Sequence, residues 1–149
     1  MNKTKIRFWG CRGSFPCCDE NKRGYGGDTS CIEVRTSENH VIILDMGTGL
    51  KRLGEKILRD SSYPKDINIF LSHFHLDHIH GFLMFAPLFE SHYNINIYSR
   101  KSEGKSLRDV LEQFLQPEIW PISLEDLPAN LSFIDIDDTP VNINNNITM

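Results

Sequence analysis

Residues 70–82, FLSHFHLDHIHGF, place four histidines and one aspartate within thirteen positions. In near-extended backbone His73 and His75 project to the same side, so both imidazoles can reach one metal ion. Asp77 and His78 follow as the chain turns, and can face a second ion beside the first. Imidazole with carboxylate suits zinc, iron or manganese. The interleaved Phe74, Leu76, Ile79 and Phe82 would anchor the loop in a core, which argues against a purely solvated surface segment. The helical zinc motif HExxH is absent. Of the remaining histidines, His40 and His92 read as solvated side chains, and His80 stays open.

The element that must carry this cluster is INIFLS (67–72), an apolar, β-rich run suited to a buried strand. It ends where the histidines begin, at a strand's C-terminal end, where open sheets place ligands. Upstream, KIRFWG (5–10) reads as a short strand entering a long glycine-rich loop, and loops of that length are often functional. CIEVRT (31–36) and VIILD (41–45) read as a hairpin. LKRLGEKILRD puts Leu50, Leu53, Ile57 and Leu58 on one helical face, with Thr48 as N-cap. Downstream, IHGFLMFAPLFESH begins as a helix and breaks near Pro87. NINIYS (94–99) is a strand and SLRDVLEQFL (106–115) a helix, with Leu107, Val110, Leu111 and Phe114 at helical spacing. LSFIDI (131–136) and VNINNNITM (141–149) alternate as strands, the last with Val141, Ile143, Ile147 and Met149 on one parity. Strands joined by both hairpins and helical crossovers imply an α/β or α+β domain, a mixed sheet with packed helices.

The chain has 149 residues, one domain's worth, and is 40% hydrophobic and 24% charged, an ordinary globular composition. Its net charge of −4 gives no general attraction to nucleic acid, although a local basic patch remains compatible with it. The N-terminal MNKTKIRFWG lacks the apolar core of a signal peptide, and no apolar run has membrane-spanning length. A cytoplasmic protein without a membrane partner is expected. Cys11, Cys17, Cys18 and Cys31 match no trusted zinc spacing and read as reduced thiols.

HxHxDH followed by Gly81 is the signature of the metallo-β-lactamase fold hydrolases, and the chain resembles that family along its length. RFWGCRGSFP followed by YGGDTSCIEV, then LDMGTG, FLSHFHLDHIHGFLMFAPLF and PEIWPISLEDL, resemble the branch that includes cyclic nucleotide phosphodiesterases and tRNA 3′-processing endonucleases. Asp28 departs from the asparagine of many relatives. The resemblance implies the αββα sandwich, of which residues 1–149 would form the N-terminal half. It also implies a two-ion hydrolase, usually of zinc, with His73 and His75 on the first ion and Asp77 and His78 on the second. A hydroxide bridging the ions would attack a phosphodiester or similar small-molecule substrate, and Asp77 would also move a proton. Two ions about 3.5–4 Å apart can stabilise both attacking and leaving oxygens. Asp45 is a candidate carboxylate for orienting a ligand histidine, or equally a support for the MGTG turn.

The family pattern also calls for later ligands: a third histidine for the first ion, a bridging aspartate, and a further histidine. The expectation is therefore a truncated or split half of a larger hydrolase, with an exposed apolar sheet face prone to self-association. The alternative function is a non-catalytic metal-binding or interaction fragment. SEGKS (102–106) and LDMGTGLKR are weak phosphate-loop matches, since Ser99 and Arg52 stand where glycines are required.

Overall fold

The structure, a computed structural model, describes residues 3–20, 24–144 and 147–148. A six-stranded sheet runs in sequence order through β1 (Lys5–Gly10), β2 (Cys31–Arg35), β3 (Val41–Leu44), β4 (Asp66–Phe70), β5 (Asn94–Ser99) and β6 (Asn130–Asp135). The first three strands are antiparallel neighbours, while β3 to β6 pair in parallel. The change follows from the connections. A turn at Ser37–Asn39 closes β2 onto β3, whereas helix α1 (Gly49–Arg59) and later segments carry the chain back to restart each parallel strand.

Register sorts the side chains into two faces. One face carries Val41 and Ile43, Ile67 and Ile69, Ile95 and Ile97, then Leu131 and Phe133. These cluster with Leu50, Leu53 and Ile57 of α1, with Phe82, Phe85 and Leu88, and with Leu107 and Leu111 of α3 (Leu107–Phe114). The helices thus cover one face. Each fully buried Leu or Ile contributes about 2 kcal/mol of transfer free energy. The other face carries Ile6, Phe8, Ile32, Val34, Ile42, Leu44, Phe70, Tyr98 and Ile134 in matching register. None of these belongs to the core cluster, and Ile6 and Phe8 are 64% and 65% exposed. Phe70 and Tyr98 stack on this face with ring centroids 4.4 Å apart.

Several expectations change in detail. The helix foreseen after the histidines is one α turn, α2 (Leu76–Ile79), followed by two 3-10 turns at His80–Met84 and Ala86–Phe89. The break comes at Phe85, whose backbone is extended at ψ 99, and Pro87 then sits in the first turn of the second piece. Leu58 is 41% exposed instead of sharing the buried face. It stands about 100° around the helix from Ile57, outside the stripe set by Leu50, Leu53 and Ile57. Thr48 precedes α1 but makes no side-chain cap; its hydroxyl accepts the Thr29 amide at 3.0 Å and donates to Asp28 at 3.1 Å. Asp28 also takes Arg52 at 3.3 Å. The last segment is two short strands, β7 (Asn142–Asn144) and β8 (Ile147–Thr148), paired with each other. Asn145, Asn146 and Met149, part of the single strand expected there, lie outside the described residues. Among the described residues no helix is long and apolar enough to cross a membrane.

Candidate metal centre

The four sequence-predicted ligands sit where β3 and β4 end side by side. Leu44 pairs with Phe70, and the next amide, Asp45 N–H, donates to Phe70 O at 2.9 Å. Asp45 then takes φ 63, a left-handed conformation that swings the chain out of the sheet. The resulting MGTG turn is stitched to the histidine loop. Met46 N–H donates to His78 O and Gly81 N–H to Met46 O, both at 2.8 Å. The two loops touch so closely that a Cβ on Gly81 would collide with the Gly47 carbonyl. A Cβ on Gly47 would lie 2.5 Å from both Asp77 O and Thr29 Oγ1. On the β4 side, Leu71 N–H donates to Tyr98 O at 2.9 Å, which keeps the chain extended into the cluster. His75 is still extended (φ −62, ψ 148) and starts the single turn of α2, and His78 N–H closes onto His75 O at 2.9 Å.

This backbone brings the side chains together. The His73 ring lies 4.4 Å from His75 and 4.1 Å from His78, centroid to centroid. Asp77 Oδ2 is 3.5 Å from His78 Nε2. Behind them Asp45 accepts on both oxygens. Oδ1 takes the Ser72 amide at 2.9 Å and hydroxyl at 2.7 Å; Oδ2 takes the Ser30 hydroxyl at 2.9 Å and His78 Nδ1–H at 2.8 Å. A carboxylate here forces the proton of His78 onto Nδ1 and leaves the Nε2 lone pair outward. Ser72 Oγ gives its one proton to Asp45, so at 3.0 Å it accepts from His73 Nδ1–H and leaves that Nε2 outward too. Asp77 Oδ2 is held from the other side by the Ser14 amide at 2.7 Å.

The electrostatics agree with those proton positions. Burial, then the neighbouring His78 and His75, hold His73 below the ordinary imidazole range, which favours the neutral, coordinating form. Burial pushes the Asp45 carboxyl up, but the amide and hydroxyl of Ser72, His78 and Ser30 together outweigh it and the net direction is down. Asp77 behaves alike, with burial opposed by the Ser14 amide and His78. Both carboxylates are anionic at neutral pH.

His73 therefore lies beside His75 and His78, and Asp77 beside His78. His80 is exposed, His92 lies 3.8 Å from Glu90, and His40 lies 3.6 Å from Glu38; none of the three joins the group. Sequence reasoning named Asp45 with two roles open, and its side chain orients His78 while its backbone opens the MGTG turn. It missed Ser72, Ser30 and the Ser14 amide. Ser72 adjoins the motif and could have been found from the strand's end. Ser30 is 15 positions from Asp45 and Ser14 is 63 from Asp77, beyond any local signal. In chemical type, imidazole nitrogen and carboxylate oxygen suit a divalent ion. Among the described residues, however, no three His, Cys, Asp or Glu side chains are preset around one point in metal-binding geometry.

Comparison with curated proteins gives no significant match. Among solved structures, the chain is similar to Zn(2+)-bound PqqB from Methylobacterium extorquens, with a TM-score of 0.61 at 13% identity. The match covers 96% of this chain and 53% of that one, so the chain spans about half the length of this neighbour. Identity this low speaks for the fold alone. The sequence speaks for the family: residues 24–143 match the metallo-beta-lactamase superfamily. That match runs from the glycine loop through the histidine turn to the strands beyond, and the chain belongs to the metallo-beta-lactamase superfamily.

Proposed function

We propose that the chain carries the HxHxDH half of a metal-dependent hydrolase, with zinc as metal and a phosphodiester as substrate. Bound divalent ions would supply Lewis acidity, lowering the pKa of water and neutralising charge that develops on the substrate. His73 and His75 would hold one ion, and Asp77 and His78 the second. Asp77, anionic and pinned by the Ser14 amide, is the group that would take up or return a proton beside the reacting bond. The carrying observation is the Asp45 hub, which fixes His78 by its Nδ1 and, through Ser72, His73 by its Nδ1. Carboxylate-backed histidines of this kind are common behind metal ions and add little to a plain surface loop. Zinc is favoured over manganese or iron because the neighbouring PqqB is zinc-bound. A phosphodiester is favoured because YGGDTSCIEV and LDMGTG resemble the phosphodiesterase branch.

The test is zinc titration of the full chain by calorimetry, followed by assay with bis(p-nitrophenyl) phosphate. Uptake of two ions with turnover, lost in Asp77→Ala, is the expected result. Metal uptake below one ion per chain would sink the reading. A second reading draws on the absence of a preset three-donor group among the described residues. Catalytic zinc is typically held by about three protein ligands plus water, and these four donors offer each ion two. In that reading the chain binds metal but turns nothing over until further ligands are supplied from outside it. Tight zinc binding without hydrolysis would favour it.

A further inference from the structure

At the opposite end of the sheet from the metal centre, the chain concentrates positive charge. Lys5 pairs with Arg35 across β1 and β2, at the end where β3 begins with Val41. A groove of about 480 Å³ opens there, lined by Lys3, Lys5 and Arg35 with Ser37, Asn39 and Ser62, and no carboxylate lines it. An adjoining groove of about 380 Å³ shares Lys5 and Arg35 and adds Arg7 and Lys56, together with Glu33 and Asp60. Those two acids are engaged. Glu33 accepts from Trp9 Nε1 at 2.8 Å and Tyr63 Oη at 2.6 Å, and Asp60 takes Lys56 at 2.9 Å. Among the described residues Lys3, Lys5 and Arg7 make no ion pair. In a chain of net charge −4, this is a local surplus of cations facing a cavity.

Charged side chains on an edge strand can serve only to block pairing with another sheet, and that would account for Lys5 and Arg7. It does not account for Arg35, which is on the second strand and is held rigidly. Arg35 Nε donates to Asn39 Oδ1 at 2.7 Å, and Nη2 donates to Ser62 O at 2.6 Å and Ser62 Oγ at 3.2 Å. Its guanidinium lies over the Tyr63 ring at 4.4 Å. Asn39 is in turn held at φ 68 and by its own bond to Ser62 O at 3.0 Å. Nη1 has no hydrogen bond among the described residues. A fixed guanidinium with Nη1 free to donate, flanked by the ammonium groups of Lys3 and Lys5 and by Ser37, is an arrangement that can bind phosphate oxygens. The volume suits a small ligand.

We propose that this groove binds a small phosphate-bearing anion, held by Arg35, Lys3 and Lys5. A nucleic-acid backbone presents the same phosphate chemistry, but the negative charge of the chain as a whole disfavours a long polyanion. The probe is inorganic tripolyphosphate, titrated calorimetrically into the metal-free full chain at low ionic strength, with amide shifts locating the site. Saturable binding with shifts at Ser37, Asn39 and Ser62 is expected. Lys3→Gln/Lys5→Gln, at exposed positions that leave the fold intact, should weaken binding about tenfold or more. Arg35→Lys, which keeps the charge but loses the bonds to Asn39 and Ser62 that fix it together with the free Nη1, should weaken it comparably. Lys101→Gln, from the pair with Asp135 at the other end of the sheet, should change nothing. No saturable binding, parental affinity in Lys3→Gln/Lys5→Gln, or shifts centred on His73 and His78 would each overturn the proposal. A single-stranded oligonucleotide that displaces tripolyphosphate and binds more tightly, with steep salt dependence, would overturn the small-ligand assignment and give the groove to nucleic acid.

Discussion

At the scale of single residues, the centre depends as much on Asp45 as on the histidines it serves. Its side chain accepts four hydrogen bonds from three residues, so Asp45→Ala unties Ser30, Ser72 and His78 together. Zinc affinity, measured by chelator competition, should fall about 10- to 100-fold, the usual effect of losing a carboxylate behind a ligand histidine. Unchanged affinity would mean that Asp45 only supports its turn. Gly81 makes the complementary case, where backbone approach sets the geometry. A methyl group there meets the Gly47 carbonyl, and Gly81→Ala should destabilise the chain by about 3 kcal/mol, read as a lowered denaturation midpoint. The histidines and Asp77 were legible in sequence because six consecutive positions carry them on one strand-and-turn segment. The groups that orient them were not, because Asp45 meets Ser72 across 27 positions and Ser14 meets Asp77 through an anonymous backbone amide.

At the scale of elements, every strand of the six-stranded sheet was legible, since central strands buried on both faces, such as Val41–Leu44 and Asp66–Phe70, read as short apolar β-rich runs. Periodicity was less informative for helices. The stripe Leu50, Leu53, Ile57 is real, but Leu58 falls outside it, and two side chains of similar hydropathy have different roles. Leu53→Ala, at a fully buried position, should cost about 3 kcal/mol, whereas Leu58→Ala should stay within about 0.5 kcal/mol; chemical denaturation separates them. After the histidines IHGFLMFAPLFESH reads as a helix that breaks near Pro87, yet one α turn and two 3-10 turns bury Phe82, Phe85 and Leu88 with a break between. Helix and loop ends carry a shared pH dependence. Ser62, Ser106, Ser123 and Thr139 donate to Asp60, Asp109, Asp126 and Asp137, which holds each carboxyl below its ordinary value. Groups depressed in the folded state stabilise it above their unfolded pKa of about 4, and that stability is lost as pH falls through the folded value. Thermal midpoints should therefore drop as pH is taken from about 5 to about 3. The drop should be shallower when Asp109 and Asp126 are both replaced by asparagine.

At the scale of the whole molecule, the two sheet faces are unequal. The helix-covered face holds nearly all the fully buried side chains, while the opposite one carries an apolar row from the exposed Phe8 through Ile32, Leu44, Phe70 and Tyr98 to Ile134, beside a shorter stretch, Ile6, Val34 and Ile42, that gives way to Asn68 and Asn96. A contiguous apolar surface of this kind drives association, and among the described residues β1 pairs with a strand on one side alone. We propose that a second copy of the chain covers this face, because an identical face offers the same rows of β-branched and aromatic side chains for sheet-on-sheet packing about 10 Å apart. Sedimentation or light scattering should then report a dimer or larger species whose population rises with concentration. Ile6→Thr/Phe8→Thr should shift the mass towards the monomer without lowering the thermal midpoint of the monomer, since neither side chain joins the helix-covered core. Lys3→Gln/Lys5→Gln, which alters the same edge but not the apolar rows, should leave the mass unchanged. A clean monomer that binds no hydrophobic dye would rule this out, because it would require the apolar rows to be already shielded within one chain.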